Sequence, residues 1–272
     1  KYWERNKVLT SLDIKNKDRI TSAQIDHTPA DILEFRTQIK ELLDLGVIRP
    51  SNSPHRSAVF MVRNHAEIKR GKVRMVINYK RLNDNTKDDK YNIPDKDQLI
   101  NRIQIAKIFS KFDCKSGFWQ IKIEKESIPW TSFCFSQGHY EWLVMPFGLK
   151  NAPSIFQRKM DSIFNKYSFI LVYIDDILVF SPDKNSHIDH LYIALEEFIN
   201  NGIIISKKKI VLNKHHIEFL GMELGDGKIR LQPHIVKKIL NYPDKLEDTK
   251  QLQSFLGILN YARMYIFLTL VK

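Results

Sequence analysis

Apolar residues at Ile32, Phe35, Ile39, Leu42 and Leu43 recur at helical spacing, which predicts a helix from Asp31 to Leu45 stopped by Gly46. The polar residues 1–30 before it read as extended. A turn-rich link then leads to a strand near Ser57–Val62, and Gly71–Asn83 reads as a second, basic strand able to pair with it as a hairpin. Residues 84–98 are polar and interrupted by Pro94. Ala106–Ile123 predicts a strand ending at Asp113, a turn at Ser116-Gly117, then alternation at Trp119, Ile121 and Ile123. Pro146–Pro153 is a Gly/Pro-bounded loop opening a helix whose inner face is Phe156, Met160, Ile163 and Phe164. Residues 169–180 are apolar except for two adjacent carboxylates, which predicts a buried hairpin with Asp175 and Asp176 at its tip. A helix follows with Ile188, Leu191, Leu195, Phe198 and Ile199 inward and Gly202 as its stop. Ser206–Leu224 reads as loop and hairpin, and the remaining basic segment as mostly helical. Strands and helices mix without βαβ alternation, so the fold class is α+β.

Composition narrows the partner class. Hydrophobic content of 43% with 27% charged residues is that of a globular chain and excludes wholesale disorder. Forty-three Lys and Arg against thirty-one Asp and Glu give +12, which suits a polyanion, nucleic acid before a membrane surface. Cys114 and Cys134 have no metal-binding spacing and read as free thiols of a reducing compartment. No signal peptide and no apolar run of about 18 residues is present, so neither secretion nor a membrane span is expected. A start at Lys1 without methionine reads as a piece of something longer.

The chemistry lies in the carboxylates. Adjacent Asp residues against an apolar scaffold repel and lose hydration, and a divalent cation resolves that conflict. Taken alone, a solvated Asp-Asp turn is the better reading of such a pair. Asp113, at the end of the strand Ile-Phe-Ser-Lys-Phe-Asp and sixty-two residues before Asp175, changes the balance. A sheet can set that strand end beside the hairpin tip. Three clustered carboxylates suit a two-metal phosphoryl-transfer site with ions roughly 3.5–4 Å apart.

Four blocks then stand in a recognisable order: FDCKSGFWQI at Phe112–Ile121, MPFGLKNAPSIFQ at Met145–Gln157, YIDD at Tyr173–Asp176 and FLGMEL at Phe219–Leu224. Together they resemble reverse transcriptases, those of the plant pararetroviruses (the cauliflower mosaic virus family) first and Gypsy-type LTR retrotransposons next. The resemblance covers about residues 30–262. It implies a right-hand polymerase: fingers at 1–87 and 124–146, palm at 88–123 and 147–228, a partial thumb at 229–272. It implies an RNA-directed and DNA-directed DNA polymerase using two Mg²⁺ ions, with Mn²⁺ as a substitute. Asp113 and Asp175 would be the principal metal ligands, Asp176 would tune them, and the Cys114 carbonyl would add a ligand. Phe118 matches the steric gate against a ribose 2′-hydroxyl. Lys72 and Arg74 fall on the strand that grips the triphosphate, and Phe147 and Gly148 where nucleotide and template are contacted. One of Lys207, Lys208 and Lys209 would protonate the departing pyrophosphate, with Lys208 the choice. Phe219, Leu220 and Gly221 match the primer grip.

The implied partners are an RNA or DNA template with its primer, and dNTPs, with no membrane. Ribonuclease H and aspartic protease domains are expected in a parent polyprotein and have no counterpart in this sequence. The expected location is the cytoplasm, within a virus-like particle. Departures exist: Asn78 stands where many relatives carry Asp, and Phe267 where the thumb helix usually continues into proline, which reads as truncation or a decayed frame. The alternative function is therefore an inactive relic that only binds primer-template; a primer-independent RNA polymerase is opposed by Phe118. His27, His55, His65, His187, His190, His215 and His216 form no ligand pattern and are expected to be structural or on the surface.

Overall fold

The computed structural model describes residues 8–23, 25–62, 73–95, 99, 102–103, 105–135, 138–243 and 245–270, with no side chain described at 261 or at 263–270. In chain order the first elements are β1 (Leu9–Thr10), α1 (Pro29–Asp44), β2 (Ile48–Pro50), β3 (Ser57–Val62), β4 (Arg74–Ile77) and α2 (Lys80–Asp84). Next come β5 (Ile108–Asp113), β6 (Lys122–Ile123), β7 (Phe133–Phe135), β8 (Gly138–Trp142) and α3 (Ala152–Phe164). Then follow β9 (Ile170–Tyr173), β10 (Asp176–Ser181), α4 (Lys184–Asn200) and β11 (Val211–Lys214). The last are β12 (His216–Phe219), β13 (Met222–Gly225), β14 (Lys228–Leu231), α5 (Pro233–Leu240) and α6 (Thr249–Leu270). Contacts divide the chain into two compact units.

The first unit comprises Lys1–Ile93, Lys115–Ser162 and Phe198–Ile204. Its sheet has the order β2-β8-β7-β3-β4, antiparallel except for the parallel β3–β7 pair. Phe35, Val47, Tyr79, Leu82, Ile121, Phe133 and Met145 are fully buried in this unit. Helix α1 starts at Pro29, earlier than periodicity alone predicts, because Thr28 caps it by accepting from Asp31 N–H at 3.2 Å. Strands β3 and β4 form the expected hairpin. Two local expectations fail here. Lys80–Asp84 is helical rather than a continuation of the strand, and Gly117–Gln120 is a 3₁₀ turn, so Trp119 does not alternate with Ile121. Ser116, at φ 47°, turns the backbone into that coil.

The second unit comprises Pro94–Cys114, Ile163–Glu197 and Ile205–Lys272. Its antiparallel sheet has the order β11-β5-β10-β9, and a second antiparallel sheet has the order β12-β13-β14. The runs Ile-Leu-Val in β9 and Ile-Leu-Val-Phe in β10 are buried on both faces, which is why they do not alternate. On one face Phe109, Leu171, Leu178 and Phe180 form a core with Ile217, Phe219, Met222 and Leu224 of the second sheet. On the other face Ser110 and Ser181 meet His187 of α4.

That contact corrects part of the predicted inner face of α4. Phe198 is buried and Leu191 half-buried as expected, but Ile188, Leu195 and Ile199 are 46%, 41% and 71% exposed, and His187 and Ala194 are buried instead. Hydrogen bonds to two serines let a histidine take an inner place. The second sheet also extends further than expected. Asp226-Gly227, both at positive φ, turn β13 into β14 where the sequence read as helix.

Candidate active site

Asp113 is the last residue of β5 and Asp176 the first of β10, and the ladder pairs them directly. Paired residues project to the same face of a sheet. By alternation that face carries Phe109, Lys111 and Asp113 on β5, and Asp176, Leu178 and Phe180 on β10. The apolar members belong to the core and the carboxylates are left at its edge. Asp175 precedes Asp176 in the two-residue turn after β9, so the tip is Ile174-Asp175 rather than the Asp pair. The Asp175 carbonyl accepts from Cys114 N–H at 2.8 Å, fastening the turn to the end of β5. Ile174 reaches it through φ 52°, a costly conformation for a β-branched residue.

The electrostatics are uneven. Asp175 Oδ1 is buried with no hydrogen-bond partner among the described residues. Burial first, then the charges of Asp113 and Asp176, raise the Asp175 carboxyl from its ordinary 3.8 to about 6, against a smaller opposing effect of Lys209. Asp113 instead meets Lys209, whose Nζ lies 2.9 Å from both carboxylate oxygens. An orphaned buried carboxylate oxygen beside two further carboxylates is a donor set of the hard kind that Mg²⁺ and Mn²⁺ prefer. Among the described residues no three His, Cys, Asp or Glu side chains are already gathered to hold a metal ion. The cluster therefore fits a divalent cation in chemistry and register, while Asp113 is engaged by a lysine.

The lysine turn Lys207–Lys209 is a 3₁₀ coil, all three residues exposed, and Lys209 rather than Lys208 reaches a carboxylate. Phe219, Leu220 and Gly221 form the β12–β13 connection, with Leu220 at φ 50° and Gly221 at φ 81°, as a tight two-residue turn requires. The Phe219 ring is buried in the core, so the turn itself is presented by Leu220 and Gly221. Lys111 Nζ donates to the Glu218 carbonyl at 2.8 Å, tying β5 to that hairpin.

The residues expected at the nucleotide belong to the first unit. Phe118 and Phe147 lie 5.2 Å apart by ring centroid, Phe118 meets Phe156 edge-on at 5.8 Å, and the Arg74 guanidinium lies 5.6 Å over Phe147. Gly148 has φ 96°, which favours glycine, and its carbonyl accepts from Asn83 Nδ2 at 2.8 Å. Lys72 lies outside the described residues.

Several supporting side chains were not foreseen. Gln38 Nε2 donates to the Val73 carbonyl at 2.8 Å and its Oε1 accepts from Met75 N–H at 3.0 Å, bracketing Arg74. Gln120 spans Lys115 and Ile204 in the same manner. Such amides leave no mark in hydrophobic periodicity, and only their neighbourhood reveals them.

Comparison with known proteins agrees with this geometry. The family described as reverse transcriptase (RNA-dependent DNA polymerase) matches residues 62–224. The chain belongs to the reverse transcriptase family. It is 55% identical over 241 residues to the enzymatic polyprotein of cauliflower mosaic virus (strain Strasbourg), covering 88% of this chain and 36% of that protein. It is 50% identical over 276 residues to polyprotein P3 of Commelina yellow mottle virus, covering 97% of this chain and 15% of that protein. The chain thus spans about a third or less of these relatives, and the likeness to plant pararetroviruses read from the motifs holds. A foamy viral protease–reverse transcriptase in complex with double-stranded DNA matches at TM-score 0.84 and 25% identity, over 95% of this chain and 45% of that one. The same viral enzyme in complex with an RNA/DNA hybrid matches at TM-score 0.79 and 24% identity, over 96% and 35%. The fold is the α+β right-hand polymerase fold of reverse transcriptases. As a family, reverse transcriptases depend on divalent metal.

Proposed function

We propose that this chain is the polymerase part of a pararetroviral polyprotein, an RNA-directed and DNA-directed DNA polymerase. The observation that carries the reading is the direct pairing of Asp113 with Asp176, with a buried Asp175 oxygen beside them that has no hydrogen-bond partner among the described residues. Asp113 and Asp175 would hold two Mg²⁺ ions, with Mn²⁺ as a substitute, Asp176 tuning their charge and the Cys114 carbonyl adding a ligand. The chemistry such ions would supply is neutralisation of phosphate charge and a more acidic primer 3′-hydroxyl, whose oxygen would attack the α-phosphorus of a dNTP in line as pyrophosphate leaves.

The chain's own residues then position and select. Arg74 and Lys72 would grip the triphosphate, the guanidinium as a bidentate donor and the ammonium as a point charge. Phe118, braced by Phe147 and Phe156, would fill the space of a 2′-hydroxyl and exclude ribonucleotides. Phe147 and Gly148 would contact nucleotide and template. The Phe219–Gly221 turn would seat the primer end, and Lys208, exposed on the lysine turn, would deliver a proton to pyrophosphate. Fingers would span 1–87 and 124–146, palm 88–123 and 147–228, and the beginning of the thumb 229–272. Ribonuclease H and protease functions would reside elsewhere in the parent polyprotein, and the working location would be a cytoplasmic particle.

Primer extension on an RNA template with dNTPs and Mg²⁺ tests this. Wild type should extend the primer, while Asp113→Asn and Asp175→Asn, folded and still binding primer-template, should not. Substantial extension by either variant removes the mechanism. Binding without extension by the wild type favours the relic that only holds nucleic acid.

A further inference from the structure

The Asp113 carboxylate already holds a cation, and that cation is part of the chain. Lys209 Nζ is 2.9 Å from each Asp113 oxygen. Backbone bonds fix the lysine's origin. Ser206 N–H donates to the Asp113 carbonyl at 2.8 Å, Lys209 N–H donates to the Ser206 carbonyl at 2.9 Å, and Ile205 bridges Cys114. The turn is thus fastened to the strand end that it neutralises. Lys207 and Lys208 share the turn, yet among the described residues no ion pair reaches either.

The pairing is built to be reversible. The Lys209 side chain is 64% exposed and that of Asp113 only 19%, so the ammonium covers the carboxylate from the solvent side. One positive charge also leaves the cluster incompletely served, since Asp175 Oδ1 still has no partner among the described residues. A divalent cation brings twice the charge and accepts several oxygen ligands at once. It cannot take both Asp113 oxygens while the ammonium occupies them.

Resting on the reading of Asp113 as a metal ligand, we propose that Lys209 is a tethered counter-ion that a divalent cation must displace from Asp113. It neutralises the carboxylate before metal arrives and withdraws into solvent as metal enters. Lys209 therefore sets how tightly the cluster takes its metal, a role separate from proton delivery to pyrophosphate.

The test is Mn²⁺ binding to the full chain without nucleotide, followed by electron paramagnetic resonance and paired with thermal melts in EDTA. Lys209→Met should bind Mn²⁺ about fivefold more tightly than wild type, the equilibrium equivalent of a partly exposed ion pair. It should also melt lower than wild type in EDTA and recover on adding Mn²⁺. Lys207→Met makes the same change in net charge two residues away, and should match wild type because solvent screens it. Asp113→Asn should abolish the binding. If Asp113→Asn abolishes binding but Lys209→Met binds no more tightly than Lys207→Met, the counter-ion role is wrong and the metal site stands. Mn²⁺ binding that ignores Asp113→Asn overturns the metal site and the counter-ion together.

Discussion

Asp175 is held in a form that the fold alone does not favour. Burial first, then Asp113 and Asp176, push its carboxyl from the ordinary 3.8 up to about 6, so folding favours the protonated acid. The sign follows from linkage: folding gains stability as pH falls from about 6 toward 3.8, and above about 6 the ionised group opposes folding. Asp175→Asn should therefore stabilise the metal-free protein at neutral pH by about 2 kcal/mol, after discounting for partial exposure. Urea unfolding in EDTA measures this, and an unchanged or lower midpoint would show that the charge is not under strain. The same substitution should end primer extension, so stability and activity part at one residue. The acid pair was legible because two carboxylates interrupt an apolar run, and Asp113 because it ends a predicted strand that a sheet can set beside them. Lys209 was not singled out, since three consecutive lysines look alike until the turn shows which one points at Asp113.

At the scale of elements, order and type were readable wherever one side of a segment is apolar, as in α1, α3, β3 and the β9–β10 hairpin. Short pieces set by local hydrogen bonds, such as α2 and the 3₁₀ turn at Gly117–Gln120, were not. The inner face of helix α4 was only partly legible, Phe198 but not His187 or Ala194, because that face is partly polar. There Ser110 Oγ accepts from Asn213 N–H and meets His187 Nε2 at 2.8 Å, while Ser181 Oγ lies 2.8 Å from both His187 Nδ1 and His190 Nδ1. Neutral rings allow these hydroxyls and nitrogens to alternate as donor and acceptor, whereas a protonated His187 donates from both sides. Burial first, then His190, lowers the His187 value below 6.5; burial also lowers His190, against a backbone hydrogen bond at Phe180 and the charges of Asp189 and Asp183. Stability is thus present above about 6.5 and is lost as pH falls through the folded value. Because Asp175 acts with the opposite sign over an overlapping range, the His187 contribution is read as a difference: His187→Phe should cost about 1–3 kcal/mol at neutral pH for the two stranded hydroxyls, and that deficit relative to wild type should shrink as pH falls below 6.5. A deficit that stays constant with pH would assign acid sensitivity elsewhere. Gln38 gives a second prediction. Because it brackets Arg74 from both sides, Gln38→Ala should raise KM for dNTP several-fold, about 1 kcal/mol, with kcat little changed. A fall in kcat at constant KM would argue against positioning of the triphosphate.

For the whole molecule, the net charge of +12 is the main long-range attraction toward a polyanion. Primer-template affinity should fall by about 0.9 log units per log unit of salt for each phosphate contacted on a B-form duplex, and by the same slope in Asp175→Asn. A fluorescence titration at several salt concentrations reads both, and a salt-insensitive affinity would exclude an electrostatic interface. No described helix is long and apolar enough to cross a membrane. Each compact unit is assembled from three separated segments of chain, and this interleaving governs where the polypeptide can be cut. The first unit needs Phe198–Ile204 to close, and the second draws on Pro94–Cys114 long before most of it has been made. During synthesis, neither can finish while the ribosome is still upstream of residue 205. Any nick between residues 94 and 204 divides both units at once. A cut on either side of that stretch divides one unit at most, so cleavage that does least harm to the fold falls nearer the ends of the chain.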